Sequence, residues 1–332
     1  MLEQVADSSN LYVKLINDGS SLQNKLKDAL SIYEPGLDVT IDYSTESNYY
    51  LDHSKNIYEA LHQILEDLKI PAENVSFYTG NLVNNRAYER FKEHFQGIKP
   101  LKVAGFKDYW LKKTVEMHTD YSKNYNNRLK PKHFSCLNGA EREHRIMALE
   151  YIIKHNLFPS GICSFVWKGM SVDGHETVRS INSHTNQPKE FYQVFDDTYY
   201  DLITETNTGM LNPHEWFDDV FFTEKIWRSI YYKRPFLLIG NYKSLYYLKQ
   251  MGFKTFDGIL FDESYDTESD HKTRIYKVLE ENKRVVQKLQ LSELHDIMQS
   301  QEMADILQHN YEKINNMAKQ DIITVSTLKN TE

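Results

Sequence analysis

The sequence predicts an α/β protein made of two facing Rossmann-like domains followed by a C-terminal helical segment. Three observations carry this expectation. Strand-like apolar stretches alternate with helix-spaced ones in both halves of the chain. A weakly patterned stretch, 108–132, rich in Lys, Asn and Tyr and containing Pro131, separates the two runs. The length, 332 residues, lets each half bury a core of its own. The expected division is 1–130, 131–290 and a helix and tail over 291–332.

The elements follow in order. The first 35 or so residues are polar and weakly patterned and are left unassigned. DVTIDY, Asp38–Tyr43, alternates as a strand does. Residues 54–68 place Ile57, Leu61, Ile64, Leu65 and Leu68 at helical spacing. A strand over 75–78 ends in the turn Thr79-Gly80-Asn81, a helix covers 85–95 and a strand 101–106. The second half repeats the rhythm: strand 133–137, turn Asn138-Gly139, helix 140–155, strand 161–167. A polar loop is expected over 171–190, then strand 200–204 and a short helix 224–233. PFLLIG, 235–240, is nearly all apolar, as a strand in the middle of a parallel sheet should be. Helices 242–251, 275–289 and 292–317 complete the pattern, and the last 15 or so residues read as loose. In open α/β sheets ligands bind beyond the carboxyl ends of the strands, so the turns that follow each strand, facing a cleft, are where chemistry is expected.

Composition narrows the function. A net charge of −8 argues against a general nucleic-acid surface but leaves a phosphate-bearing small ligand open, because a few local donors suffice for it. Two cysteines, Cys136 and Cys163, are too few for a disulfide framework or a four-thiolate zinc site and read as small core residues. No apolar run nears the ~20 residues of a membrane-spanning helix, and MLEQVADSSNLYVKL lacks the pattern of a secretory signal, so the cytoplasm is the expected compartment. The abundant Tyr and Phe suit sugar or protein binding, or simply reflect compositional habit.

The run FTEKIWR, 222–228, holds the strongest motif. Thr223 is a good N-cap, with Glu224 and Lys225 in the first helical turn and Ile226, Trp227, Ile230 and Tyr231 as the buried stripe. A helix start offers backbone N–H groups and a positive dipole end to a phosphate, Lys225 adds a point charge, and Glu224 can accept from two ribose hydroxyls. Spacing alone leaves an ordinary reading open, in which an acid favours a first turn and the lysine is solvated.

FFTEKIWRSIYYKRPFLLIG resembles the Thr-Glu-Lys-Leu-Trp motif of α-1,3-fucosyltransferases. It is also similar to small glycosyltransferase-like proteins in which that helix is followed by Pro-Phe, an apolar strand, Gly-Phe-x-Thr-Phe and Asp-Glu-Ser-Tyr-Asp. Here these are Pro235-Phe236, the strand ending at Gly240, Gly252 to Phe256 and Asp262 to Asp266. About 45 residues match closely, 133–290 match loosely and the amino half matches poorly.

The resemblance implies a metal-independent glycosyltransferase of the two-domain GT-B type. It would move a sugar from a nucleotide sugar, GDP-linked in the fucosyltransferases, to a hydroxyl of a glycan or other acceptor, with no further cofactor. Residues 1–130 become the acceptor side and 131–290 the nucleotide-sugar side. Glu224 and Lys225, with Thr223, take the ribose and phosphate roles. Arg145, or alternatively Arg142, on the helix after Asn138 faces the diphosphate, and Asn138 itself and Glu205, at the end of the strand 200–204, lie near nucleotide or sugar. An exposed surface role stays open for Arg145 and Glu205.

Asp262 to Asp266 could touch the donor sugar, or Asp266 or Ser269 could cap the next helix. Tyr78-Thr79-Gly80 is similar to a family segment whose next residue is a Glu, which the resemblance implies as the base; here that residue is Asn81, which cannot take a proton. Glu46, Asp52, His53 and Glu89 are undistinguished substitutes, so no catalytic residue is assigned. Gly-x-Gly-x-x-Gly, the phosphate-loop motif and His-Glu-x-x-His are all missing. So is Asp-x-Asp, and no metal site is expected. A non-catalytic nucleotide-sugar or glycan binder is the alternative reading.

Overall fold

The computed structural model describes residues 2–6, 9–16, 22–46, 57–95, 97–118, 128–168, 171–172, 175–176, 188–208 and 219–320. Among these, one compact unit takes the residues up to 109 together with 219–222, and the other takes the rest.

In unit 1, β1 (Leu2–Ala6) runs antiparallel to β2 (Asn10–Leu15). Then β3 (Asp38–Tyr43), β4 (Val75–Thr79) and β5 (Val103–Phe106) follow β2 in parallel, in sequence order. The helices α1 (Leu22–Leu30), α2 (Ile57–Asp67) and α3 (Asn84–His94) make the crossovers, and α4 (Tyr109–Met117) comes after β5. The first 35 residues, left unassigned above, therefore hold two strands and a helix. Their signal is short: Leu11, Val13 and Leu15 alternate with Asn10, Tyr12 and Lys14 over only six residues.

Right-handed crossovers between strands laid down in one direction put every connecting helix on the same face. The core of unit 1 has that form. Leu11, Val13, Val39, Ile41, Val75 and Phe77 join the apolar faces of α1, α2 and α3 in a single cluster. The other face carries the row Tyr12–Thr40–Ser76–Val103, with Val103 38% exposed. Among the described residues this sheet shows no reversal of strand order, the feature at which nucleotides bind in open α/β sheets.

Residues 219–222 return to this unit. Asn81 bridges antiparallel to Phe221, Leu82 N donates to Val220 O at 2.8 Å, and Val220 N donates to Asn81 Oδ1 at 3.0 Å.

Unit 2 holds the parallel sheet β11-β10-β6-β7: β6 (Lys132–Asn138), β7 (Gly161–Phe165), β10 (Thr198–Thr204) and β11 (Phe236–Ile239). Between β7 and β10 lie the hairpin β8 (Ser171–Val172) and β9 (His175–Glu176) and the helix α6 (Pro188–Asp197). The expected polar loop over 171–190 thus contains a hairpin, and a helix starts where Pro188 suits a first turn.

α5 (Glu143–Lys154) connects β6 to β7, α7 (Glu224–Tyr231) connects β10 to β11, and α8 (Ser244–Gln250) follows. α9 (His271–Lys288) packs against α5 and β11. The helix expected over 292–317 is two helices, α10 (Leu291–Gln299) and α11 (Gln301–Ala318). Ser300, extended at ψ 147°, ends the first and caps the second by accepting from Met303 N, a break that apolar periodicity does not register. None of the helices in the described residues is long and apolar enough to cross a membrane.

Candidate functional site

The strand order of unit 2 reverses once. From β6 the chain moves outward to β7, then crosses back to β10 on the other side of β6 and on to β11. The switch point lies between β6 and β10, and their carboxyl ends are Asn138 and Thr204-Glu205. In open α/β sheets such a switch point is where a ligand crevice is expected.

Asn138, 1% exposed, is committed inside the protein. Its Oδ1 accepts from Thr204 Oγ1, its Nδ2 reaches Cys136 Sγ at 3.2 Å, and its N–H donates to Ser164 Oγ. It ties β6 to β10 and to β7, and so shapes the edge without presenting a free amide.

Glu205, 1% exposed, is the junction of the site. Its carbonyl accepts from His144 Nε2 at 2.9 Å, and Arg145 Nη2 lies 3.4 and 3.5 Å from the carbonyls of Thr204 and Glu205. Its carboxylate accepts from Thr223 N at 3.1 Å, Thr223 Oγ1 at 2.5 Å and Thr206 N at 3.2 Å. One residue thus fixes the starts of both α5 and α7. Burial raises the Glu205 carboxyl above its usual range, against the pull of Lys225.

Thr223 caps α7, its Oγ1 accepting from Lys225 N. Lys225 Nζ donates to Thr223 Oγ1 at 3.0 Å and to Glu224 Oε1 at 3.1 Å, and stands 4.0 Å from Glu205 Oε2. Burial works against the Glu224 charge, but Lys225 and Arg228 outweigh it and hold the carboxyl down to about 2. The ammonium is therefore placed between an outer acid, Glu224, and an inner one, Glu205, with its side chain 15% exposed.

Arg145 is 3% exposed and donates to Ala140 O at 3.0 Å, while its Nε is buried without a partner. Burial, then the charge of Arg142, lower it to about 10. His144 beside it is brought down to about 3, first by burial and then by Arg145, which makes it a neutral donor to Glu205.

Beneath Lys225 lies a cavity of about 20 Å³ bordered by Ser135, Asp201, Thr204, Arg228 and Ser229, room for a single water. Asp201 is held by Arg234 at 2.8–3.0 Å, Ser135 at 2.5 Å and Ser229 at 2.7 Å. Arg234 also donates to Phe195 O, Thr198 O and Thr198 Oγ1, so the pair is a satisfied buried support for α7. Sequence reasoning passed over it, since neither residue belongs to a motif.

The acidic run 262–266 separates into three anchors. Asp262 Oδ1 accepts from Ser264 N in a local turn. Glu263 takes Thr255 Oγ1 at 2.6 Å and Phe256 N at 2.8 Å. Asp266 accepts from Leu245 N at 2.9 Å and Tyr246 N at 2.8 Å, capping α8 rather than the helix that follows. That helix, α9, is capped by Asp270 through Thr273 N, not by Asp266 or Ser269.

In unit 1, Asn81 is fully buried, with Oδ1 accepting from Val83 N and Val220 N. Glu89 pairs with Lys92 at 2.8 Å, and the carbonyl of Glu46 accepts from Gly80 N. Asp52 and His53 lie outside the described residues. Among the described residues no three His, Cys, Asp or Glu side chains are placed to share a metal ion. No protein-family model matches the chain, and neither the curated proteins nor the solved structures contain a significant match.

Proposed function

We propose that unit 2 binds a nucleotide sugar at its switch point and that the protein is a metal-independent glycosyltransferase of the two-domain GT-B type, acting in the cytoplasm on a glycan or other hydroxyl acceptor. The observation that supports this best is the convergence of Arg145, Lys225 and the start of α7 on the edge where strand order reverses. Cations and helix N–H groups set there in advance would stabilise the charge of a departing nucleoside diphosphate. Glu224 stands beside them as an acceptor for ribose hydroxyls. The Thr-Glu-Lys-x-Trp resemblance points the same way.

A second reading, a nucleotide-sugar or glycan binder without turnover, is favoured by Asn81, which cannot take a proton and whose side-chain oxygen is occupied by the backbone N–H groups of Val83 and Val220. Product formation from labelled nucleotide sugars separates the two.

Calorimetric titration tests the donor site itself. Lys225→Ala should weaken nucleoside diphosphate binding by ~1.5–3 kcal/mol, the scale of a hydrogen bond to a charged group. Glu224→Ala should weaken nucleoside diphosphates while leaving inorganic pyrophosphate nearly unchanged. Glu224→Ala should melt close to the parent, because its side chain lies outside the buried stripe Ile226, Trp227 and Ile230, whereas Lys225→Ala should melt somewhat lower, because it removes the cation beside the buried Glu205. Variants that bind like the parent would sink the assignment.

A further inference from the structure

β11 ends at Ile239, and Gly240 and Asn241 carry the chain out over the carboxyl edge of unit 2. Glu205 N donates to Ile239 O at 2.9 Å, the last rung of the β10–β11 pairing, so Asn241 lies two residues past the end of β11 as Thr206 lies two residues past the end of β10. Thr206 Oγ1 is 3.4 Å from Lys225 Nζ. Asn241 therefore stands on the same edge as the cationic site, one strand further along.

Its backbone is satisfied, with the carbonyl accepting from Ser244 N and Ser244 Oγ. The side chain is not. Asn241 is 5% exposed, and its Oδ1 is buried and accepts no hydrogen bond. A buried amide oxygen without a donor is costly, and proteins keep few of them. Two of the other orphans have ordinary settings: Asn282 lies inside α9 and already takes Tyr200 Oη, and Thr114 lies inside α4. Asn241 shares the carboxyl edge with another orphan, Arg145 Nε. One lacks a donor and the other an acceptor, as expected of groups whose partner is a ligand carrying both.

We infer that Asn241 reads the base of a nucleotide whose phosphates lie toward Lys225 and Arg145. Its Oδ1 takes an N–H of the base, and its Nδ2 can meet a neighbouring acceptor on the same base edge. This rests on the donor-site reading above and adds the residue that distinguishes a nucleotide from a bare diphosphate.

The test is titration of the full-length parent, Asn241→Leu and Asn241→Asp with a panel of nucleoside diphosphates and with inorganic pyrophosphate, beside melting curves. Asn241→Leu should weaken the preferred nucleoside diphosphate roughly tenfold or more, since a site built around a polar contact loses it entirely. Pyrophosphate affinity should not change. The melting temperature should hold or rise, because the leucine removes an amide oxygen that had no partner in the free protein. Asn241→Asp, with two acceptors and no donor, should reorder the preference within the panel. Equal weakening of pyrophosphate and nucleotide, unchanged nucleotide binding, or a fall in melting temperature with affinity intact would each overturn the role of Asn241. A parent that binds neither class of probe overturns the donor-site reading, and this inference with it.

Discussion

Glu205 shows how a single buried acid can tie together the elements that meet at one sheet edge. Its carbonyl holds the α5 side through His144, and its carboxylate holds Thr223 and hence α7. The neutral state of His144 has a consequence for acid stability. An unfolded histidine takes its proton near 6.5, whereas the folded His144 does so only at about 3. Between those values the unfolded chain binds more protons, so stability falls as pH drops through that window. His118 and His62, both lowered to about 4 chiefly by burial, act in the same direction. Melting curves from pH 7 to 3.5 should therefore decline, and His144→Gln should decline less steeply than the parent; parallel curves would remove His144 from the account. The cap Thr223 was legible in the sequence because threonine before an acid and an apolar stripe is a local pattern. The buried pair Asp201–Arg234 and the orphan amide of Asn241 were not, because each is defined by neighbours distant in the chain.

The same division holds for the elements. Strands and helices whose apolar residues repeat over ten or more positions could be read directly, as α2 and α9 were. The elements missed lie in the polar, weakly patterned amino-terminal stretch, as β1, β2 and α1 do, or were divided by one residue, as α10 and α11 are at Ser300. The acidic run 262–266 was recognised as unusual, but its use depends on where α8 lies. Asp266 supplies both oxygens to the first N–H groups of that helix, a service α8 needs because its N-terminal flank, Lys243, is left-handed at φ 60° and offers no side-chain cap. Asp266→Ala should cost about 1–2 kcal/mol, the upper part of the range for a lost cap, and Asp266→Asn should recover part of it. Denaturant unfolding measures both; an Asp266→Ala protein as stable as the parent would mean that α8 does not depend on this contact.

At the scale of the whole molecule, the two sheets were legible as βα alternation, but their difference was not. Alternation is the same whether strand order runs straight, as in unit 1, or reverses, as in unit 2. The straight order leaves unit 1 with one helix-covered face, and this can be tested by substitution. Ile41→Ala, on the covered face and fully buried, should cost ~2–5 kcal/mol. Ser76→Ala, on the next strand but the other face, should stay within about 0.5 kcal/mol. Comparable losses at both positions would contradict a one-sided core. The return of residues 219–222 to unit 1 bears on synthesis. A ribosome delivers the chain from its amino end, and β1 to β5 emerge long before Val220 and Phe221. Until then Leu82 N lacks its Val220 partner, Asn81 Oδ1 lacks the second of its two donors, and the space against Gly80 lacks the Phe221 ring. Unit 1 is thus completed only after β6, β7 and β10 of the other unit have been made, and no single cut in the gene can release it whole.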